Sequence, residues 1–326
     1  MPIAKDSLST NAMGGTERMK FGLDSRIDST LLDNFQIFVS RAEEQFDETK
    51  IRIFWAHDLP GDPASEHLRN GGWKNYHRLV FVSNWQMQGY IQRYDIPWSK
   101  CIVLQNAIVP IEEHEKPNGT IRLAYWATPH RGLNVLVPVF QKLCEKYDNI
   151  ELDVYSSFKL YGWDKRDEQY QPLFDQCLDD PKINYHGTVP NDVLRENLKN
   201  THIMAYPSIW LETSCICLME AMSAGLLCVH PNYGALPETS ANWTNMYQWY
   251  EDQNEHASHF YAALDASIES LQNEGVQSRI SSQASYANVF YGWPLRQFQW
   301  EQFLVSLLDE DRSLPEAPAG YFEYKA

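Results

Sequence analysis

The sequence predicts an α/β protein of two domains that face each other across a cleft. Its 326 residues exceed the length of one typical domain. From residue 121 onward, strand-like and helix-like segments alternate, and a smaller alternating set fills the first 108 residues. Such alternation indicates right-handed crossovers and parallel sheets. Residues 109–120, rich in charge, proline and glycine, are typical of a linker.

Each half predicts its own series of elements. The first half predicts helices at 16–27 and 85–94 and strands at 35–41, 51–57, 78–84 and 101–108. The second half predicts strands at 121–128, 150–157, 183–189, 202–208 and 226–230, and helices at 133–147, 164–178, 190–200 and 214–224. An aromatic-rich helix at 289–308 is expected to break at Pro294.

These elements divide the chain into four parts. We expect an N-terminal Rossmann-like domain at 1–112, whose first strand is hard to find in 2–9, and a C-terminal Rossmann-like domain at 113–288. A C-terminal helix at 289–310 is expected to cross back to the first domain, followed by a flexible tail at 311–326.

Composition excludes several classes of function. The net charge of −16 argues against nucleic-acid binding and weakens the case for docking on an anionic membrane, although a local basic patch would leave peripheral contact open. No run of 18 apolar residues and no signal peptide are visible. Six cysteines without a CxxC pair indicate free thiols, a cytoplasmic location and no metal site.

The most informative pair of residues is Glu212 and Glu220. Glu220 interrupts a run of apolar and small residues from Ile216 to Ala224, which is typical of a buried helix. A carboxylate there is costly unless it is hydrogen-bonded or paired. Glu212 is expected in the loop before this helix, about 12 Å from Glu220 along the axis.

The start of this helix lies between the two acids. Its free amides, at Thr213, Ser214, Cys215 and Ile216, form a candidate anion site. An acid, an anion site and a second acid therefore follow one another along the chain. This arrangement fits a diphosphate with a hydroxyl-bearing group on each side, which is the layout of a nucleotide sugar. The alternative is one capping glutamate and one buried glutamate in a salt bridge.

Three further segments are candidates for the cleft. Gly14 and Gly15 form a turn at a helix start that would admit a ligand close to the backbone, with Thr16 as cap; a plain loop is the alternative. Arg131 follows a strand and could bind phosphate, or lie solvated on its loop. His57 ends a strand and is expected to point toward the cleft; a purely structural histidine is the alternative. Neither a GxGxxG nor a Walker A motif occurs, which disfavours a nicotinamide dehydrogenase and a P-loop NTPase.

Together these motifs resemble one family. The chain resembles the GT-B-fold retaining glycosyltransferases of the family 4 type, most densely from Arg78 to Glu238. The matching segments are Gly14–Glu17, Val82–Trp85, Gln105–Ile108, Arg131–Leu133, Glu212-x7-Glu220, Ala221–Gly225, Gly234–Glu238 and the helix after Trp293. The sequence departs from the family at Tyr125, where a second arginine is common, and at Cys215, where glycine is expected.

The resemblance implies a metal-independent hexosyltransferase that uses a UDP-, GDP- or ADP-sugar and a hydroxyl acceptor, either a glycan or a lipid-linked sugar. By resemblance, Glu220 would hold the ribose, and Glu212 the hydroxyls of the transferred sugar. Arg131 and the amides of 214–216 would hold the diphosphate, and His57 would lie near the sugar. A non-catalytic nucleotide-sugar-binding protein and a nucleotide-sugar epimerase remain as alternatives.

Overall fold

The computed structural model describes residues 14–42 and 45–310. The predicted first strand at 2–9 and the predicted tail at 311–326 lie outside the described residues. Within them, the first half of the chain forms one parallel sheet and the second half forms another, as the alternation of strands and helices predicts.

The first sheet has four parallel strands in the order β1-β2-β3-β4. The elements of this half are α1 (Gly15–Asp24), α2 (Ser29–Leu32), β1 (Phe35–Val39), β2 (Ile51–Ala56), β3 (Arg78–Phe81), α3 (Asn84–Tyr94) and β4 (Cys101–Val103). A kinked 3-10 segment, Pro63–Asn75, joins β2 to β3. The two central strands, β2 and β3, are mostly buried and apolar, as expected for a sheet covered on both faces.

The second sheet has six parallel strands in the order β10-β9-β8-β5-β6-β7. Its elements begin with β5 (Ile121–Tyr125), α4 (Leu133–Cys144), β6 (Ile150–Val154), α5 (Gln171–Asp179), β7 (Ile183–Tyr185), α6 (Asn191–Leu198) and β8 (Ile203–Ala205). They continue with α7 (Ile216–Ser223), β9 (Leu227–Pro231), α8 (Leu236–Ser240), β10 (Asn245–Tyr247), α9 (Gln253–Ser270), α10 (Glu274–Phe290) and α11 (Trp293–Leu308). The sheet order reverses between β5 and β8, and in such sheets ligands bind at the carboxyl ends of the strands beside that reversal.

Two helix predictions are wrong in detail, and both involve proline. The helix predicted at 289–308 does not break at Pro294, because α10 ends at Phe290 and Pro294 lies in the first turn of α11. The helix predicted at 164–178 is a 3-10 turn, Asp164–Tyr170, followed by α5, which also has proline in its first turn. Proline suits the first turn of a helix because the N–H it lacks would have no partner there.

The two halves are connected through the start of α11. The Ile108 amide donates to the Tyr291 carbonyl at 2.8 Å, and the Trp293 amide donates to the Ile108 carbonyl at 3.2 Å. Farther along α11, the Trp300 ring packs edge-on against Trp55 of β2, with 4.8 Å between centroids. The last helix therefore lies on the first domain.

A carboxylate of the second half also caps a helix of the first. Glu238, in α8, accepts hydrogen bonds from the backbone amides of Asn84 at 2.9 Å and Trp85 at 3.0 Å, which begin α3. These amides have no partner within the helix, and a negative charge at a helix N-terminus is favourable. In the described ranges no helix is long and apolar enough to cross a membrane.

Candidate functional site

Glu212 lies after β8 with its carboxylate almost completely buried, at 5% exposure. One carboxylate oxygen accepts hydrogen bonds from the Arg131 guanidinium and from the Tyr206 hydroxyl. The backbone of Glu212 is fixed as well, because its carbonyl accepts from the Ala235 amide at 2.8 Å. The position of Glu212 in a loop agrees with the sequence prediction. Arg131 is ion-paired and mostly buried, so the alternative prediction that it lies solvated on its loop is wrong.

The buried Glu212 carboxylate shifts the pKa values of the two side chains that donate to it. Burial opposes the charge of the Arg131 guanidinium, but the Glu212 carboxylate outweighs it and raises the pKa of Arg131 above its usual range. Burial, reinforced by Glu212, raises the pKa of the Tyr206 hydroxyl. Arg131 therefore stays a cation and Tyr206 a neutral donor at any physiological pH.

Glu220 lies in the middle of α7 with no solvent-exposed surface. Its Oε1 accepts from Arg18 Nη2 at 2.7 Å and from Asn191 Nδ2 at 3.3 Å. Its Oε2 is buried and has no hydrogen-bond partner among the described residues. Both glutamates are thus ion-paired, as the alternative interpretation of the sequence allows, but Glu220 retains one free acceptor.

The beginning of α7 lies between the two acids, as predicted. Its N-cap is Cys215, with φ −85°, and no side chain makes a capping hydrogen bond to it within the described part of the chain. This φ suits any L-residue, so the cysteine in place of the family's glycine does not distort the loop. Thr213 Oγ1 donates to the His57 carbonyl at 2.8 Å, and Ser214 Oγ is buried without a partner among residues 14–42 and 45–310.

The glycine turn of the first domain lies directly against this helix start. A Cβ at Gly15 would stand 3.1 Å from Cδ1 of Ile216, and one at Gly14 would stand 2.5 Å from the Tyr161 ring. The absence of side chains permits this close approach. The N-cap of α1 is Gly14 and no side chain among the described residues caps the helix, so the predicted capping role of Thr16 is wrong.

His57 follows β2 at the junction of the two domains and is 9% exposed. Its ring lies 4.7 Å from Trp55, and its Nε2 is buried with no partner in the described residues. Burial lowers the pKa of His57 to about 3, so its ring is neutral at physiological pH. It can donate or accept one hydrogen bond at Nε2 without carrying charge.

The loop after β5 carries further buried polar atoms that lack a protein partner. Within the described chain these are Trp126 Nε1, Thr128 Oγ1 and His130 Nδ1. Buried polar groups are normally satisfied, so a group of unpartnered ones beside two paired acids indicates a place for a polar ligand. Burial lowers the pKa of His130, which packs on Phe158, to about 4.

Sequence reasoning missed three residues of this site: Arg18, Asn191 and Tyr206. Arg18 immediately follows the segment Gly14–Glu17, and a helical turn from Gly15 brings it to the same side. Tyr206 follows β8 and resembles part of an apolar strand, so its contact with Glu212 has no sequence signal. In the described part of the chain no group of three or more His, Cys, Asp or Glu side chains could hold a metal ion.

Comparison with known proteins identifies the family. The family model described as glycosyl transferases group 1 matches residues 113–276, half of the chain. The chain belongs to this family. The matched region contains Arg131, Glu212, Glu220 and residues 213–216, so seven of the ten predicted site residues lie inside the recognised domain.

The curated relatives are longer proteins. A phosphatidylinositol N-acetylglucosaminyltransferase subunit from Arabidopsis thaliana is 28% identical over 201 residues, covering 57% of this chain and 42% of that protein. The GPI3 subunit of the same-named enzyme from Saccharomyces cerevisiae is 22% identical over 185 residues, covering 53% of this chain and 39% of that protein. The chain therefore spans less than half the length of these relatives.

Solved structures share the fold. A glycosyltransferase from Rickettsia africae superposes with a TM-score of 0.66 at 14% identity, covering 95% of this chain and 85% of that one. HepE from Anabaena, solved with UDP-glucose, superposes with a TM-score of 0.62 at 14% identity, covering 79% of this chain and 72% of that one. The predicted GT-B fold is confirmed.

The position of Glu212 in this family member depends on Gly234. Gly234 has φ +59°, and a Cβ there would lie 2.7 Å from the Glu212 carbonyl oxygen. Gly234→Ala should lower the free energy of unfolding by about 2 kcal/mol and reduce any transfer activity, because the Glu212 loop must shift. Gly162→Ala is the matched control, since Gly162 has φ +71° with nothing within 4 Å. Equal losses in both variants, by chemical denaturation, would contradict this interpretation.

The buried histidine predicts an acid-sensitive fold. Because the folded-state pKa of His57 is about 3 against 6.5 unfolded, the unfolded chain binds the extra proton between those values. The free energy of unfolding should therefore fall as pH drops from 6.5 toward 3, by up to about 1.4 kcal/mol per pH unit from this group. His57→Gln should flatten the slope measured by denaturant titration at pH 7, 6 and 5. His259→Gln, at an exposed position, is the control; an unchanged slope in His57→Gln would sink the prediction.

Proposed function

We propose that this protein is a retaining hexosyltransferase that moves a sugar from a nucleoside diphosphate sugar to a hydroxyl acceptor without a metal ion. The observation that carries the proposal is the arrangement of Glu212, the start of α7 and Glu220 at the junction of the two domains. It combines two buried acids, uncapped helix amides and several unpartnered polar atoms among the described residues.

Each group has a role along the length of the donor. Glu220 would accept a ribose hydroxyl at its free Oε2. The amides at the start of α7 and the guanidinium of Arg131 would bind the diphosphate. Glu212 would accept from hydroxyls of the transferred sugar, and His57 Nε2 would contact the same sugar from the first domain.

Transfer would proceed on one face of the sugar. The bond from the anomeric carbon to the diphosphate oxygen breaks as the bond to the acceptor oxygen forms on the same face. The acceptor proton passes to the departing phosphate oxygen. Arg131 and the positive end of α7 stabilise the charge that develops on the leaving group, which supports a reaction without Mg²⁺.

The donor base and the acceptor are proposed from similarity. HepE was solved with UDP-glucose, so UDP-sugars are the first donors to test. The curated relatives carry the name of an enzyme that acts on phosphatidylinositol, which supports a lipid-linked hydroxyl acceptor alongside a glycan. Six free cysteines support action in a reducing, cytoplasmic compartment.

A second candidate is a nucleotide-sugar-binding protein without catalysis. It is favoured by Tyr125, which occupies the position of the second arginine common in the family. Tyr125 is fully buried, donates to the Thr128 carbonyl at 2.9 Å, and is uncharged because burial raises its pKa. The diphosphate would then have one cation fewer.

One assay separates the candidates. The protein is incubated in EDTA with UDP-, GDP- or ADP-sugars and a panel of hydroxyl acceptors, and release of nucleoside diphosphate is followed. The enzyme hypothesis expects metal-independent release and a product whose anomeric configuration, measured by NMR coupling constants, equals that of the donor. Binding without turnover supports the second candidate, an isomerised donor supports an epimerase, and an inverted product contradicts the retaining mechanism.

A further inference from the structure

Arg18 links the first domain to the acid proposed to hold the ribose. Its Nη2 lies 2.7 Å from Glu220 Oε1, and the two residues are 202 positions apart in the sequence. Glu220 is fully buried, and a buried carboxylate is tolerated only when it is paired. Burial opposes the charge of the guanidinium, but the neighbouring Glu220 outweighs this and raises the pKa of Arg18, so the guanidinium stays charged.

The pair makes the two oxygens of Glu220 unequal. Oε1 is occupied by Arg18 and, more weakly, by Asn191 at 3.3 Å, whereas Oε2 has no partner within the described residues. Fixing one oxygen from the first domain fixes the plane of the carboxylate. The other oxygen is then held in one direction as an acceptor, which is the geometry that a single ligand hydroxyl needs.

Arg18 differs from two other side chains that join the domains. Thr213 donates to the His57 carbonyl, and Glu238 caps α3, so both of these contacts involve backbone of the first domain. The contact of Arg18 instead ends on a side chain with a proposed ligand role. The Arg18 side chain is 23% exposed whereas Glu220 is inaccessible, so Arg18 is the partner of this pair that faces solvent.

We propose that Arg18 is a positioning residue that makes ribose recognition by Glu220 depend on closure of the first domain over the donor. The nucleotide enters while Arg18 is displaced. Its ribose hydroxyl takes Oε2, and the return of Arg18 to Oε1 then brings the glycine turn back against the start of α7. This inference rests on the proposed function and assigns to it a residue outside the domain matched by the family model.

The test compares ribose discrimination in Arg18 variants. Dissociation constants are measured by calorimetry for UDP and 2′,3′-dideoxy-UDP, and for the corresponding GDP and ADP pairs. The wild type should prefer the ribose form of its base by about 10-fold or more, the worth of a hydrogen bond to a charged group. In Arg18→Gln this preference should fall below about threefold, with binding of the dideoxy form unchanged, because that form cannot use Glu220.

Three variants serve as controls. Arg18→Lys keeps the charge and should restore part of the preference. Lys20→Gln removes another cation of α1, one that pairs with Asp24 and not with Glu220. This variant should keep the wild-type ratio of the two dissociation constants. The double variant Arg18→Gln, Glu220→Gln should discriminate no more than Arg18→Gln alone. It also avoids an unpaired buried charge, so its melting temperature shows whether the fold survives.

The outcomes separate this inference from the proposed function. A wild type that prefers ribose and an Arg18→Gln variant that keeps the full preference would overturn the role of Arg18 and leave the proposed function standing. Equal weakening of both nucleotide forms would show a purely structural contact and overturn it as well. A wild type that binds none of the three diphosphates would overturn both.

Discussion

Replacing Glu212 with glutamine should reduce kcat about 100- to 1,000-fold, the range seen when one well-placed polar group is removed from an active site. Glutamine has nearly the same shape but no charge. It would leave the buried Arg131 guanidinium unpaired and would weaken the acceptor offered to the sugar hydroxyls. Because Glu212 is expected to act on the sugar more than on the nucleotide, affinity for the free diphosphate should change far less than kcat.

The same variant should also lose stability. Removing one partner of a buried ion pair typically costs about 3–5 kcal/mol, and the exposed part of Arg131 places this pair toward the lower end. Glu151→Gln is the matched control, because Glu151 belongs to the same domain and pairs with Arg122 at the surface. A Glu212→Gln enzyme that is folded and within about threefold of wild-type kcat would refute the role of Glu212.

Replacing Arg131 with alanine should lower kcat about 100- to 1,000-fold and weaken donor binding, because the developing diphosphate charge loses its nearest side-chain cation. Arg131→Lys should recover part of kcat only, since lysine lacks the planar fork that binds phosphate with two hydrogen bonds. Steady-state kinetics with donor varied at saturating acceptor measures both effects.

Arg122→Ala is the control for Arg131, because it removes a more exposed cation from β5 of the same domain. It should leave kcat and KM unchanged. If Arg131→Ala lowered melting temperature without altering the kinetics of the folded fraction, the residue would be a structural partner of Glu212, and the diphosphate role would be wrong.

Local patterns were sufficient to predict much of this architecture. The alternation after residue 121 predicts the five strands β5 to β9, and the apolar run around Glu220 predicts the buried helix α7. Helices α9 and α10 were not predicted. Over 17 residues α10 buries only Ile280, Gln283 and Ala287, so its apolar periodicity is too sparse to recognise.

The contacts of the site could be predicted best where its residues lie close together in sequence. Glu212, the start of α7 and Glu220 fall within one segment, and their order along the chain reflects their order in space. Several of their partners come from far away: Arg131 lies 81 residues from Glu212, and Arg18 lies 202 residues from Glu220. Such pairs depend on how elements distant in sequence pack, which no local pattern encodes.

The most direct test of the central idea is a crystal structure of the protein with a bound nucleoside diphosphate sugar. We expect the diphosphate to lie within hydrogen-bond distance of the amides that begin α7 and of Arg131. Glu220 Oε2 should lie on a ribose hydroxyl and Glu212 on the sugar. A nucleotide bound elsewhere, with its diphosphate out of reach of both Arg131 and the amides that begin α7, would contradict this expectation.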